Sequence, residues 1–213
     1  MLVAVACSSE GETTVDAAVT TTSPPPTTAT TLPLTTTTTA PAGVTLFDFA
    51  EPGSVEGWAN VDDTVMGGVS ASSATWEDGA LVFGGFVSLD NNGGFTSVVS
   101  PRTPGLADPA LASGAAQGGA AGSILVAGAG DGRNYVLQLR ATGGGQQLWT
   151  QTFTLPAEGG VAGLPLSGFA ASDFRLEPVA PAPVDLARIE AIAIYLADGV
   201  AGPFRLAVTR IAA

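Results

Sequence analysis

The stretch IEAIAIYLADGVAGPFRLAVTRIA, residues 189–212, has the composition of two β-strands separated by a turn. Residues 189–197 are apolar apart from Glu190 and rich in isoleucine, and residues 203–212 are again mainly apolar. Runs of this length and composition, bounded by glycine and aspartate, are typical of strands. Asp198 stands before a glycine, which is ordinary turn chemistry. The chain therefore ends in two strands, and the same pattern can be followed upstream.

Similar segments recur from Val44 onward, with Gly, Pro, Asn and Asp between them. We predict strands at 44–49, 80–89, 94–100, 122–130, 134–141 and 147–155, in addition to the two at the end. The pair Gly84–Gly85 predicts a bulge or bend within its strand. Eight strands at this spacing, without a long helical stripe, indicate an all-β jelly-roll sandwich.

Three further expectations concern the organisation of this sandwich. The first and last strands are both apolar enough to be buried on one face, so we predict that they are neighbours. Residues 104–121, rich in Pro, Gly and Ala, are predicted to form a long loop. Only single helical turns are predicted, within 167–174 and 185–190.

A different composition precedes the strands. Residues 8–43 contain fourteen Thr, a run of three prolines at 24–26 and no aromatic residue. Such a segment cannot bury enough apolar surface to offset its ordering entropy. We therefore predict a disordered Thr/Pro-rich tether ahead of the folded domain.

The single cysteine, Cys7, follows the residues AVA and precedes Ser8. This arrangement resembles a bacterial lipoprotein processing site, in which the cysteine becomes a lipidated N-terminus. We accordingly interpret residues 1–7 as a truncated signal remnant. The expected location is extracytoplasmic, with the protein anchored to the cell membrane through the lipid on Cys7 alone.

The charge excludes several partners. The net charge is −12, and the chain contains no Lys and no His, so all seven basic residues are Arg. Sixteen acids and all seven Arg lie after Gly43, which leaves nine excess negative charges on the folded part. Such a surface repels phosphate backbones, so nucleic-acid binding is not expected.

The missing residue types also limit the chemistry. Without His there is no Ser–His or Cys–His activation of a nucleophile and no His metal ligand. Without Lys there is no Schiff base. What remains is acid–base work by paired carboxylates on glycosides, or oxygen ligation of Ca²⁺. We predict that the protein is not an enzyme and needs no cofactor, a structural Ca²⁺ being the one ion that its acids could hold.

The stretch NVDDTVMGGVS, residues 60–70, holds the most conspicuous acids, Asp62 and Asp63. In an extended chain two neighbours point to opposite faces, so they form a poor catalytic pair with each other. Three interpretations remain open. The acids could bind Ca²⁺ together with Asp90, could pair with a distant acid such as Asp131 or Asp198, or could accept backbone N–H bonds that hold a loop.

The third interpretation assigns roles to the rest of this stretch. Gly67 and Gly68 would allow a tight turn, while Met66 and Val69 would pack inward. The neighbours of the two acids would be Asn91 and Asn92, which makes Asp62, Asp63 and the two asparagines candidate ligand-binding residues as well.

Two other features carry weaker functional signals. Each of Trp58, Trp76 and Trp149 is more simply explained by core packing than by stacking on a sugar. Trp76 lies near a turn and is the candidate for an exposed, ligand-binding indole. The run GAGDG at 128–132 precedes a strand rather than a helix, so it predicts a hairpin turn and not a phosphate-binding loop.

Five blocks, taken in order, resemble one known family. They are GWANVDDTVMGGVS (57–70), LVFGGFVSLDNNGGFTSVVS (81–100), GDGRNYVLQLR (130–140), LPLSGF (164–169) and DLARIEAIAIYLADGVAGPFRLAVTRI (185–211). The family is that of complex I intermediate-associated protein 30, the CIA30 domain, and the resemblance covers nearly all of residues 44–213.

The resemblance implies a galactose-binding-domain-like jelly roll and a non-catalytic role. Mitochondrial members act in assembly of respiratory complex I, and similar sandwiches occur as carbohydrate-binding modules. Residues 44–213 are thus expected to form a binding domain for a protein partner, in an assembly or chaperone-like role. The alternative is a carbohydrate-binding lipoprotein module whose partner is a glycan.

Overall fold

The predicted β-sandwich is confirmed by a computed structural model, which describes residues 44–102, 122–141 and 147–213. The predicted signal remnant, the tether, the predicted loop at 104–121 and the short stretch 142–146 lie outside these described residues. The described part contains twelve strands and no α-helix. The strands are β1 Thr45–Asp48, β2 Ala59–Asp62, β3 Ala71–Glu77, β4 Ala80–Val87, β5 Thr96–Val99, β6 Ser123–Gly130, β7 Tyr135–Ala141, β8 Gln147–Phe153, β9 Gly160–Pro165, β10 Ala170–Ser172, β11 Ile189–Leu196 and β12 Gly202–Ala212.

The strands form two antiparallel sheets. Sheet 1 has the order β3-β4-β12-β6-β9, and β1 also pairs with β12. Sheet 2 has the order β10-β8-β7-β11-β5-β2. The expectation that the two ends of the domain are neighbours is confirmed, because Thr45 lies opposite Ala212 and Phe47 opposite Ile211. Short 3-10 turns at Pro52–Val55, Asp63–Met66, Asp90–Asn92, Leu166–Gly168 and Leu186–Arg188 connect the strands.

The core lies between the two sheets. Alternate residues of the central strands point into it, as the two-residue period of a strand requires. Sheet 1 contributes Leu81 and Phe83 of β4, and sheet 2 contributes Leu137 of β7 and Ile194 of β11, all of them buried. This burial of apolar surface is the main stabilising contribution to the domain.

The strands β2, β3, β9 and β10 were not predicted, and two local expectations about glycine-rich segments are wrong. The register of β4 against both of its neighbours is continuous, so the glycines at 84 and 85 form no bulge. A side chain at Gly85 would instead lie 2.1 Å from the carbonyl oxygen of Ala71, so the glycine serves the close approach of a neighbouring strand. The turn GAGDG is also not a hairpin, because it joins β6 of sheet 1 to β7 of sheet 2.

Candidate functional site

Asp63 is the centre of a junction between two loops. It begins the 3-10 turn after β2 and is fully buried. One carboxylate oxygen accepts the backbone N–H of Ser70 at 2.9 Å. The other accepts the hydroxyl of Ser70 at 2.5 Å and the N–H groups of Gly94 and Phe95 at 2.7 and 3.3 Å. We call Asp63, Ser70, Ser88, Gly94 and Phe95 the Asp63 junction, since Ser88 joins it by donating its N–H to Ser70 Oγ at 2.9 Å.

Two glycine pairs make room for this carboxylate. A Cβ at Gly68 would lie 2.3 Å from Asp63 Oδ1, and one at Gly93 would lie 2.7 Å from Asp63 Oδ2. Gly67 has φ of +93°, a left-handed conformation that favours glycine. The prediction that the first pair makes a tight turn is therefore confirmed, and close approach to the acid is an additional reason for it.

The electrostatics of Asp63 are those of an anion held by the fold. Burial by itself would raise the pKa of this carboxyl, but the hydrogen bonds from Ser70, Gly94 and Phe95 together lower the pKa below its ordinary value of 3.8. Asp63 is thus ionised at neutral pH, with both oxygens occupied by donors. The interpretation of Asp63 as an acceptor of backbone N–H bonds matches this geometry.

Asp62 makes a second set of contacts at the same end of the sandwich. Its carboxylate accepts the N–H of Ser72 at 3.0 Å, the hydroxyl of Ser72 at 2.5 Å and the hydroxyl of Thr96. Asn60 donates to the same serine at 2.9 Å. Because Ser72 lies in sheet 1 and Thr96 in sheet 2, Asp62 ties the two sheets together.

The predicted calcium ligands differ in their exposure and in their hydrogen bonds. All four oxygens of Asp62 and Asp63 accept hydrogen bonds from the protein, and these donors would compete with a cation. The other candidates, Asp90, Asn91 and Asn92, form an exposed 3-10 turn. Across the described ranges, no three Asp, Glu, Cys or His side chains come together to hold a metal. A calcium site stays a prediction.

The prediction that Met66 and Val69 pack inward is wrong. Their side chains are 56% and 51% exposed, and Val65 and Leu89 are 71% and 49% exposed. The inner position of this loop is taken by Asp63, whose charge is compensated by N–H donors, so the apolar side chains of the turn point outward. We call Val65, Met66, Val69 and Leu89 the apolar loop patch.

Two of the three tryptophans are buried in the core, and the third is half-buried. Trp58 and Trp149 belong to the core. Trp76 is half-buried, and its indole N–H donates to the carbonyl oxygen of Phe49 at 2.8 Å. That contact holds the indole against the residue that follows β1, and a sugar-binding role for Trp76 stays a prediction.

A site that the sequence did not single out lies on the outer face of sheet 2. On β7, Leu137 and Leu139 point into the core, so Gln138 and Arg140 lie on the opposite face. Arg140 donates from Nε to Gln138 Oε1 at 2.8 Å and from Nη2 to the hydroxyl of Tyr195 at 2.7 Å. Tyr195 in turn lies 6.4 Å from Phe95, ring centroid to ring centroid. We call Gln138, Arg140, Tyr195 and Phe95 the outer-face cluster.

This cluster has more donors than acceptors. Arg140 is half-buried and makes no ion pair with any residue that the structure describes. Gln138 is fully buried, and its Nε2 has no hydrogen-bond partner. The hydroxyl of Tyr195 accepts from Arg140 but donates to no described residue. In the sequence, the alternation of polar residues with leucine in NYVLQLRA indicates that Gln138 and Arg140 share one face of a strand. Their contact with Tyr195 could not be predicted, because it depends on the pairing of β7 with β11.

Arg133, unlike Arg140, forms an ion pair with a carboxylate. It binds Asp198 through two hydrogen bonds of 2.6 and 3.0 Å, and the hydrogen bonds to Asp198 raise the pKa of Arg133. Asp131 accepts the N–H of Arg133 at 3.0 Å and the hydroxyl of Tyr135 at 3.0 Å. Asp131 and Asp198 therefore have the predicted turn roles, and they join the loops after β6 and β11.

The chain also has an apolar groove of about 570 Å³ beside β10. Its lining is Leu166, Ser167, Phe169, Ala170, Ala171, Pro178, Val179, Pro181, Ala182, Pro183 and Val184. None of these side chains is charged, so the groove offers no acid or base for chemistry.

Among the described residues, no helix is long and apolar enough to cross a membrane.

Comparison with known proteins now decides the family. The family model for complex I intermediate-associated protein 30 (CIA30) matches residues 47–208. The chain belongs to the CIA30 family. No curated protein matches the sequence.

Solved structures that resemble the CIA30 domain include two carbohydrate-binding modules. One is the family 11 carbohydrate-binding module of a cellulosomal cellulase of Clostridium thermocellum, with a TM-score of 0.53 and 14% identity, covering 82% of this chain and 95% of that one. The other is the same kind of module in complex with a β-1,3-1,4-mixed-linked tetrasaccharide, with a TM-score of 0.52 and 16% identity, covering 82% and 97%. At such low identity the likeness shows the jelly-roll fold alone.

Proposed function

We propose that this CIA30 domain is a non-catalytic binding module whose ligand, a saccharide, lies on the outer face of sheet 2. The observation that carries the proposal is the outer-face cluster, where unsatisfied donors of Gln138, Arg140 and Tyr195 lie beside two aromatic rings. Sugars present hydroxyl oxygens at their edges and apolar C–H groups on their faces, which this combination matches. A structural neighbour of the same fold holds a tetrasaccharide.

Several features support a role in binding rather than catalysis. The chain has no His and no Lys. The adjacent acids Asp62 and Asp63 use their oxygens to hold loops and sheets together. A carboxylate already bound by several donors is a poor proton acceptor, because those bonds stabilise the charged form.

The proposal is tested by exposing the full chain to a glycan array, with and without Ca²⁺. We expect saturable binding that Tyr195→Ala abolishes and that Trp76→Ala leaves in place, since Trp76 lies on sheet 1. Retention of binding in Tyr195→Ala, or its loss only in Trp76→Ala, would reject the outer face. Dependence on Ca²⁺ would restore the metal interpretation of Asp62, Asp63 and Asp90.

A second candidate function is binding of a protein partner, as in the assembly role expected from the sequence. The specific observation in its favour is the apolar loop patch, whose four large apolar side chains are each 49–71% exposed, since patches of exposed apolar side chains mark interaction sites. The junction beneath it is rigidly hydrogen-bonded, so the patch costs little ordering entropy on binding. Crosslinking of wild-type chain and of Met66→Ser in native membranes tests it, and equal crosslinking in both would reject the patch.

The predicted anchor completes the proposal. Lipidation of Cys7, followed by the spacer at 8–43, would place the binding domain outside the cytoplasmic membrane at the end of a tether. Metabolic labelling with a fatty acid, compared between wild type and Cys7→Ser, tests this. Equal labelling of the two proteins, or labelling of neither, would reject the anchor.

A further inference from the structure

The strongest unexplained feature of the outer face is an arginine without a counter-ion. Arg140 is half-buried, and its two hydrogen-bond partners, Gln138 and Tyr195, are neutral. The domain carries an excess of acids, and both Arg133 and Arg205 are paired with carboxylates. A partly buried guanidinium is expected to be paired, because desolvation of an uncompensated charge is costly.

The geometry of Arg140 leaves one edge of its guanidinium available. Its Nε is used by Gln138, and Nη2 donates one bond to Tyr195. Nη1 donates to no residue in the described ranges, and Nη2 has a second N–H. These two nitrogens present parallel donors, which is the fork that binds a planar carboxylate through both of its oxygens.

The neighbouring groups point to the same kind of ligand. The Nε2 of Gln138 is a buried donor without an acceptor. The Tyr195 hydroxyl, which accepts from Arg140, has its own proton free to donate. Three neighbouring groups with spare donors, and no acid bonded to any of them, fit a ligand that supplies acceptor oxygens and a negative charge.

We propose that Arg140 binds the carboxylate of an acidic saccharide, a uronic acid unit, on the outer face of sheet 2. This deepens the proposed function and rests on it. Gln138 is a positioning residue, since its Oε1 accepts a hydrogen bond from Nε of Arg140 at 2.8 Å. Tyr195 is buried at 8% exposure and contacts the guanidinium through its hydroxyl, while the half-buried ring of Phe95 beside it offers an apolar surface to a sugar ring. The half-buried Thr150, which pairs with Gln138, adds a hydroxyl to the same face.

A saccharide fits better than an acidic peptide for a reason of charge. The folded domain carries nine excess negative charges, so it repels a chain that is acidic at every residue. A saccharide with isolated carboxylates among neutral hydroxyls needs only one cation and many hydrogen-bond partners. The outer-face cluster offers this combination of one cation and several neutral hydrogen-bonding groups.

The test compares matched tetrasaccharides by isothermal titration calorimetry on the full chain. Each acidic probe carries a single glucuronate, galacturonate or mannuronate unit, and its neutral partner has glucose, galactose or mannose at that position; tetraglutamate is the peptide arm. We expect one acidic sugar to bind at least about tenfold more tightly than its neutral partner, with the preference reduced in 1 M NaCl because an ion pair is screened.

Three variants decide whether Arg140 is responsible. Arg140→Gln should bind both members of the pair alike. Arg140→Lys keeps the charge without the fork, should retain part of the preference, and carries the test if Arg140→Gln does not fold. Arg205→Gln makes the same charge change on sheet 1, where the arginine pairs with exposed Glu77, and should keep the full preference.

Each other result overturns a distinct claim. Equal affinity for neutral and acidic sugars would refute the carboxylate assignment and leave the saccharide proposal standing. An acidic preference unchanged in Arg140→Gln would refute the role of Arg140. Binding of tetraglutamate with the same dependence on Arg140 would replace the saccharide with a peptide, and binding of no probe would overturn both proposals.

Discussion

Two polar regions of this CIA30 domain lie on either side of Phe95 and use hydrogen bonds in opposite ways. In the Asp63 junction, an acid buried at the loop ends accepts every donor aimed at it. In the outer-face cluster, Arg140, Gln138 and Tyr195 keep donors that the described protein does not use. Phe95 belongs to both, because its N–H bonds Asp63 and its ring lies beside Tyr195.

The difference separates polar groups that hold the fold from polar groups that await a ligand. A buried polar group costs free energy unless it is paired, so a fully paired network is expected where stability depends on it. Groups that keep spare donors cost stability, which makes them candidates for binding when they lie on an outer face. Mutations should therefore have large effects on stability in the first region and small ones in the second.

The largest expected effect is that of Asp63→Ala. Removal of the carboxylate leaves the N–H groups of Ser70 and Gly94 and a serine hydroxyl without their acceptor, at a cost of about 3–5 kcal/mol in the free energy of unfolding. Urea unfolding of the full chain measures it. Asp90→Ala is the matched control, because Asp90 is exposed and should change stability by about 0.5 kcal/mol or less. Similar losses in the two variants would remove the distinction between the regions.

Gly68→Ala should destabilise the domain by about 2 kcal/mol or more, since the new methyl group overpacks the junction. Its Cβ would lie 2.3 Å from Asp63 Oδ1 and 2.4 Å from Cγ. Gly53→Ala is the control, because the nearest atom to its Cβ is a flexible glutamate oxygen at 4.0 Å. Differential scanning calorimetry of both variants gives the comparison, and equal melting temperatures would show that the junction yields to a methyl group.

The pH dependence of stability should sharpen the comparison further. The folded-state pKa of Asp63 is lowered from 3.8, so its stabilisation is present above about pH 4 and is lost as the pH falls through the folded value. Asp63→Asn cannot lose this contribution. The gap in unfolding free energy between wild type and Asp63→Asn should therefore narrow between pH 5 and pH 2.5, measured by urea titration. A constant gap would mean that Asp63 is not held as an anion.

The sequence was sufficient to predict the strands that consist mainly of apolar residues. The buried segments that became β4, β7, β11 and β12 were predicted from their apolar residues. β3 was missed because its seven residues alternate only between exposed and half-buried positions, which leaves little apolar periodicity. The missed strands β2 and β10, with four and three residues, are too short to show a period, and β9 was missed because three of its six residues are Gly or Pro.

The candidate site was predictable only where its contacts are local or depend on residue type. The acceptor role of Asp63 could be inferred from an acid followed by glycines. The exposure of Met66 and Val69 could not, because it depends on donors brought from residues 94 and 95. The outer-face cluster joins Arg140 to a tyrosine 55 positions away, and only the register of β7 against β11 determines that meeting.

The smallest expected effect is that of Gln138→Met. Methionine keeps most of the volume, removes the unpaired Nε2 donor and also removes the acceptor of one Arg140 bond, so the change in unfolding free energy should stay within about 1 kcal/mol. Ser70→Ala provides the contrast in the Asp63 junction, because it deletes a donor to Asp63 and the acceptor for Ser88 N–H. That loss should cost about 2 kcal/mol. If urea unfolding gave Gln138→Met the larger loss, the amide would belong to the framework of the fold, and the outer face would no longer stand apart as a surface kept for a ligand.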